Sequence, residues 1–128
     1  MSKRILVIDD EEAIRKSFTL ALEDTGYQVE TAVSGEQGIN KAQGTKYDLI
    51  FLDLKMPGLD GAQTLWELRN MDKDTPIYII TAFYDEFFDQ LSNAAKAGIE
   101  FEVLRKPIGS AQIVLITKSV LEGATEVK

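Results

Sequence analysis

Five polar residues stand where apolar runs end. Asp9 and Asp10 follow Ile5-Leu6-Val7-Ile8, Asp53 follows Leu49-Ile50-Phe51-Leu52, Thr81 follows Ile77-Tyr78-Ile79-Ile80, and Lys106 follows the run from Phe101 to Leu104. Short, continuous apolar runs of this kind mark strands buried on both faces. In a parallel sheet the carboxyl ends of the strands share one edge, so groups far apart in sequence meet there. Three carboxylates, one hydroxyl and one ammonium on that edge suit a divalent cation and a phosphoryl group. Mg²⁺ takes carboxylate oxygens and neutralises phosphoryl charge. Asp53 is the candidate nucleophile, because a carboxylate can attack phosphorus to give an acyl phosphate. Thr81 would donate to a phosphoryl oxygen, and Lys106 would bind the group as a point charge and pair with Asp53 in its absence.

Taken singly, each residue has an ordinary explanation. Asp9 and Asp10 suit the start of a helix, Asp53 a solvated strand end, Thr81 strand propensity and Lys106 a surface loop. Capping needs one Asp, however, and Asp9-Asp10-Glu11-Glu12 is a run of four acids. Such a run repels itself unless a cation or water relieves it. Each of four successive strand ends supplies a residue type that the chemistry needs, and this combination carries the weight.

The elements that must position these residues alternate strictly. After the first strand, Ile14, Phe18, Ala21 and Leu22 lie at helical spacing and Gly26 stops the helix. Tyr27 to Val33 reads as a second strand. Ser34 is a candidate N-cap for a helix over 36–43 that Gly44 ends. Pro57, Gly58 and Gly61 mark a loop after the third strand, and Ala62 to Met71 a third helix. Phe87, Leu91, Ala94 and Ala95 mark a fourth helix, ended by Gly98, and Ser110 can cap a last helix through about Leu121. Strict strand–helix alternation predicts an α/β fold: a five-stranded parallel sheet, flavodoxin-like order 2-1-3-4-5, with helices on both faces. Strands one and three are then adjacent, which brings Asp9, Asp10 and Asp53 to the switch point where such folds bind ligands.

Composition narrows the function classes. The 128 residues carry 14 Lys+Arg against 21 Asp+Glu, a net charge of −7, which argues against direct binding of nucleic acid or an anionic membrane. The chain has 0 Cys and 0 His, which excludes disulfides, thiolate chemistry, His metal ligands and a phosphohistidine-carrier role. No signal peptide or membrane span is visible, so a cytoplasmic location is expected.

The motifs Ile5-Leu6-Val7-Ile8-Asp9-Asp10-Glu11, Asp53-Leu54-Lys55-Met56-Pro57-Gly58-Leu59-Asp60-Gly61, Thr81-Ala82 and Lys106-Pro107 together resemble the receiver domain of bacterial two-component response regulators, the chemotaxis-regulator-like fold. The resemblance spans about residues 3 to 121 and implies a receiver domain over 1–122 with a tail over 123–128. It implies that Asp53 accepts a phosphoryl group from a histidine kinase, a phosphotransfer protein or a small phosphodonor. Asp10, Asp53 and the Lys55 backbone carbonyl would bind Mg²⁺, with Asp9 acting through water, while Lys106 and Thr81 hold phosphoryl oxygens. The Lys106–Pro107 peptide is expected to be cis. Such a domain promotes its own phosphorylation and dephosphorylation without being a classical enzyme, and phosphorylation shifts an existing equilibrium through Thr81.

One position departs from the family pattern. Where a switch Tyr or Phe usually stands, three residues before the Lys, this chain has Val103. Either Phe101, on the same strand face, substitutes for it, or the aromatic part of the switch is absent. Phe83-Tyr84-Asp85-Glu86-Phe87-Phe88 is the second unusual feature. One helix cannot bury four aromatics, so Phe83, Tyr84 and Phe88 are candidates for a partner surface. With Phe101, Val103 and Pro107 they would belong to a face of helix four, strand five and helix five that takes a second copy or an output partner. Phe83 is also expected to screen an acyl phosphate from water. Among competing functions, a haloacid-dehalogenase-like phosphatase needs a second Asp where Lys55 stands. A flavin-binding module needs a phosphate loop where four acids stand. A receiver-fold interaction module working without phosphorylation is the remaining alternative.

Overall fold

The computed structural model describes residues 2–123. Five strands, β1 (Arg4–Ile8), β2 (Gln28–Ala32), β3 (Leu49–Leu52), β4 (Ile77–Thr81) and β5 (Glu102–Arg105), alternate with five helices, α1 (Glu12–Leu22), α2 (Gly35–Gly44), α3 (Gly61–Met71), α4 (Phe88–Lys96) and α5 (Ser110–Glu122). All strand pairings are parallel and the order is β2-β1-β3-β4-β5, the expected flavodoxin-like topology. Ile8 lies opposite Leu52, so the next residue of each chain segment, Asp9 and Asp53, emerges side by side.

Alternation along β1 shows why both faces must be covered. Leu6 and Ile8 pack with Leu52, Leu65, Ile79 and Leu91 on one side of the sheet. Ile5 and Val7 pack with Phe18, Phe51, Ile80 and Ile113 on the other. Burying such a side chain is worth roughly 1.5–3 kcal/mol, so the two layers hold the site-bearing strand ends in fixed register.

Local differences from the sequence reading are small. β2 is trimmed to Gln28–Ala32, and β5 is shifted one residue on, to Glu102–Arg105. A 3-10 turn, Asp85–Phe87, precedes α4, so Phe87 closes that turn instead of opening the helix. Ser34 does cap α2, accepting the Gln37 N–H at 3.1 Å. Ser110 does not cap α5. The Ile113 N–H bonds the Gly109 carbonyl at 3.0 Å, which closes the first turn one residue earlier and leaves Gly109 at the cap. The tail expected over 123–128 lies, beyond Gly123, outside the described residues. No described helix is long and apolar enough to cross a membrane.

Two features lock α3 against the end of β3. Asp60 and Gln63 form a reciprocal capping box, with the Gln63 N–H on the Asp60 carboxylate at 2.9 Å. A Cβ on Gly61 would lie 2.3 Å from the Asp53 carbonyl oxygen and 2.4 Å from the Leu54 Cα. Only glycine lets the helix start this close to the Asp53 backbone.

Candidate functional site

The strand ends deliver the predicted residues to one edge. Asp9, Asp10 and Asp53 present carboxylate oxygens that all lie within 4.8 Å of one another. Asp9 is 2% and Asp53 5% exposed, whereas Asp10 faces solvent. The Lys106 ammonium sits 3.1 Å from Asp9 Oδ2, 3.4 Å from Asp53 Oδ1 and 3.4 Å from Glu11 Oε1. The backbone beside it is pinned by the Lys106 N–H on the Thr81 carbonyl at 2.8 Å, and the Lys106–Pro107 peptide is cis, as expected. Thr81 is fully buried and its hydroxyl accepts the Phe83 N–H at 2.8 Å.

The electrostatics of the pocket are unbalanced. Burial, followed by the neighbouring Asp9 charge, raises the Asp53 pKa to about 6, against the opposing pull of Lys106. Burial likewise raises Asp9 despite the Glu11 N–H and Lys106. For Lys106 burial works to lower the pKa, but Asp53 and Asp9 outweigh it and the ammonium is held above its usual value. One ammonium thus faces several carboxylates, two of them desolvated. An all-oxygen donor set with surplus negative charge fits a hard divalent cation such as Mg²⁺.

Several neighbours were not legible as site residues. Glu11 was visible only as part of an acidic run, yet it is the third carboxylate on Lys106. Asp9 does not cap α1; its Oδ1 accepts the Glu11 N–H at 2.9 Å, and Glu11 occupies the cap position. Arg15 donates to the Asp9 carbonyl at 2.9 Å, and Glu36 accepts the Leu59 N–H at 3.1 Å, which ties the loop after β3 to α2. Neither has a sequence signal, because each partner is a backbone group.

The aromatic residues lie around the pocket, not in it. Phe83 and Phe88 are 43% and 49% exposed, whereas Phe87 is buried in the same core layer as Leu91. Tyr84 packs partly against the core, with its ring 4.6 Å from the Arg105 guanidinium and edge-on to Phe88 at 5.9 Å. Phe101 and Val103 are half-buried against the core layer that includes α4, Val103 opposite Ile79, and Pro107 is exposed. The Lys55 ammonium stands 4.3 Å from the Phe83 ring centre and 3.2 Å from Glu86 Oε1.

Comparison with known proteins gives a consistent result. The family described as Response regulator receiver domain matches residues 5–118. The alkaline phosphatase synthesis transcriptional regulatory protein PhoP of Bacillus subtilis is 37% identical over 94% of this chain and 49% of its own length. The transcriptional regulatory protein PrrA of Mycobacterium leprae is 35% identical over 97% of this chain and 53% of its own. The chain therefore spans about half the length of the curated relatives it matches. Among solved structures, the chemotaxis protein CheY4 of Vibrio cholerae has a TM-score of 0.80 at 29% identity, covering 94% of this chain and 100% of that one. A CheY-like receiver domain protein from Methanospirillum hungatei has a TM-score of 0.84 at 25% identity, covering 98% and 99%. The fold, the strand-end residues and these similarities agree: the chain belongs to the response regulator receiver domain family of two-component signal transduction.

Proposed function

We propose that residues 1–122 act as a phosphoacceptor receiver with Asp53 as the acceptor. The observation that carries this is the placement of a buried Asp53 carboxylate beside Lys106, within 4.8 Å of the Asp9 and Asp10 oxygens. A carboxylate oxygen of Asp53 attacks the phosphorus of a phosphohistidine on a kinase or phosphotransfer protein, or of a small acyl phosphate. The bond from phosphorus to the donor nitrogen or oxygen breaks, its electron pair leaves with the donor, and a new P–O bond forms on Asp53. A pKa of about 6 leaves the acid mostly ionised, and so nucleophilic, at neutral pH. Asp10, Asp53 and the Lys55 backbone carbonyl would hold Mg²⁺, with Asp9 acting through water, and the ion bound there would neutralise charge on the incoming group. Lys106 and the Thr81 hydroxyl hold the phosphoryl oxygens.

The added charge of nearly two units then acts through Thr81. Its hydroxyl already accepts the Phe83 N–H, so turning toward a phosphoryl oxygen moves the loop after β4. The exposed Phe88 on α4 and Leu115 on α5, with β5 between these helices in sequence, form the face for a second copy or an output partner. The two curated relatives named above, PhoP and PrrA, are transcriptional regulatory proteins, and in this reading any control of transcription would act through the partner of the receiver face. The test is intact mass after incubation with acetyl phosphate and Mg²⁺, beside an Asp53→Asn control. One phosphoryl group added to the wild type alone is expected. No adduct from acetyl phosphate or from a phosphorylated histidine kinase would leave an interaction module that works without phosphorylation.

A further inference from the structure

The loop between β4 and α4 carries two adjacent aromatics under two different cations. Phe83 lies under Lys55, which belongs to the loop leaving Asp53. Tyr84 lies against Arg105, which stands opposite Thr81 in the β4–β5 register and precedes Lys106. The Lys55 ammonium also pairs with Glu86, in the 3-10 turn of the same loop, at 3.2 Å. Lys55 makes no ion pair with Asp53 among the described residues, although it lies two residues away. Its side chain and that of Glu86 are each 51% exposed, so the pair is free to exchange.

We propose that Glu86 is a positioning residue that holds the Lys55 ammonium on the Phe83 ring and so latches the loop in its resting position. This rests on the reading of Asp53 as the acceptor. A phosphoryl group there concentrates nearly two negative charges two residues from an ammonium on a flexible stem. Exposed ion pairs and cation–π contacts are weak, so Lys55 exchanges Glu86 for the phosphoryl oxygens. Phe83 then loses its cation as its N–H loses the Thr81 hydroxyl. Both fastenings of Phe83 are released by one event, while Tyr84 stays against Arg105 as the pivot.

The experiment titrates beryllium fluoride with Mg²⁺, a phosphoryl mimic on carboxylates, into the full chain and follows the Phe83 amide by NMR. Glu86→Gln is expected to tighten apparent affinity for the mimic by about 3-fold, the scale of one exposed ion pair. In a Lys55→Met background the same substitution is expected to change nothing. An equal gain with and without Lys55 would mean that Glu86 merely repels the anion, and no gain in either background would mean that it latches nothing; each overturns the proposal. A wild type that takes no mimic overturns the Asp53 assignment instead, and the latch with it.

Discussion

The two edges of the sheet use the same kinds of charged residue to opposite ends. At the amino edge both Asp72 and Arg69 have counterparts. Asp72 accepts from the Lys46 ammonium at 2.7 Å, from the Thr75 hydroxyl and from the Asp74 N–H at 2.8 Å. Partial burial works to raise its pKa, but these donors outweigh it and hold the acid well below the usual carboxylate range. Arg69, almost buried, donates to the carbonyls of Asp72, Thr75 and Glu100 at 3.1, 2.7 and 2.8 Å, and ties α3 to the segments that enter β4 and β5. Its Nε–H alone lacks an acceptor. At the carboxyl edge Asp53 and Asp9 are buried with one ammonium between them, and both acids are raised. One edge stabilises the fold, whereas the other holds a surplus of buried negative charge that a divalent cation would relieve.

Breaking the balanced edge should cost the most. Arg69→Leu removes the charged donor from one buried carbonyl, Thr75, and from two part-buried ones, Asp72 and Glu100, for which about 3 kcal/mol of destabilisation is expected. Urea unfolding should show a lower midpoint with an unchanged slope, and the protein that remains folded should still accept phosphoryl from acetyl phosphate. Loss of both together would mean that the edges are not separable.

Relieving the unbalanced edge should have the opposite sign. Asp53→Asn is expected to stabilise the cation-free protein at pH 7.5 by roughly 2 kcal/mol, somewhat less than the full pKa difference implies, because the amide keeps its own desolvation cost. The native pKa of about 6 lies above the ordinary 3.8. The native state therefore gains from the protonated acid; that stability is complete below 3.8 and is lost as pH rises through 6. The advantage of Asn over wild type should thus be complete above pH 6, shrink between pH 6 and 4, and vanish below that. Thermal melts with a chelator present across that range check it. The charged groups facing Asp53 from neighbouring elements are Asp9 and Asp10 after β1 and Lys106 after β5, and Asp9 is the acid that raises it, so the same profile in an Asp9→Asn background should start lower.

The carboxyl edge was legible in the sequence and the amino edge was not, for a physical reason. A parallel sheet sends every strand end to one side, so an acid after Leu52 and an acid after Ile8 are neighbours once the order 2-1-3-4-5 is known. The apolar runs of β1, β3 and β4 mark those strands because buried strands leave few polar positions to blur them, and the order follows from strict strand–helix alternation over five units. Arg69 had no such signature. It lies on a helix whose spacing marks Leu65 and Leu68 as core, where an arginine reads as solvent-facing, and its partners are backbone carbonyls that any residue supplies. Arg15 escaped for the same reason, since its partner is the Asp9 carbonyl, and Glu11 because its approach to Lys106 depends on how the first turn of α1 sits. The shift of β5 by one residue lies within the ordinary spread of element boundaries, and the cap at Gly109 follows from the local Ile113 N–H to Gly109 carbonyl bond.

The smallest effect separates the edges most cleanly. Asp72 is the mirror of Asp53: its native pKa is depressed, so its contribution to stability is present above the ordinary 3.8 and is lost as pH falls below it. Asp72→Asn keeps the shape and most acceptor geometry but removes the charge that Lys46 meets. A cost of about 1 kcal/mol is expected at pH 7, in line with one charge-assisted hydrogen bond to a partly exposed group. That cost should shrink on acidification, whereas the Asp53→Asn gain shrinks over the window just above it. The two differences from wild type therefore have opposite signs at pH 7 and both approach zero in acid. A Lys46→Met variant should reproduce the Asp72→Asn loss, and the double substitution should cost little more than either alone. Additive losses would mean that Asp72 owes its low pKa to the Thr75 hydroxyl and the backbone amides, and that the amino edge is balanced by local turn geometry without the ion pair.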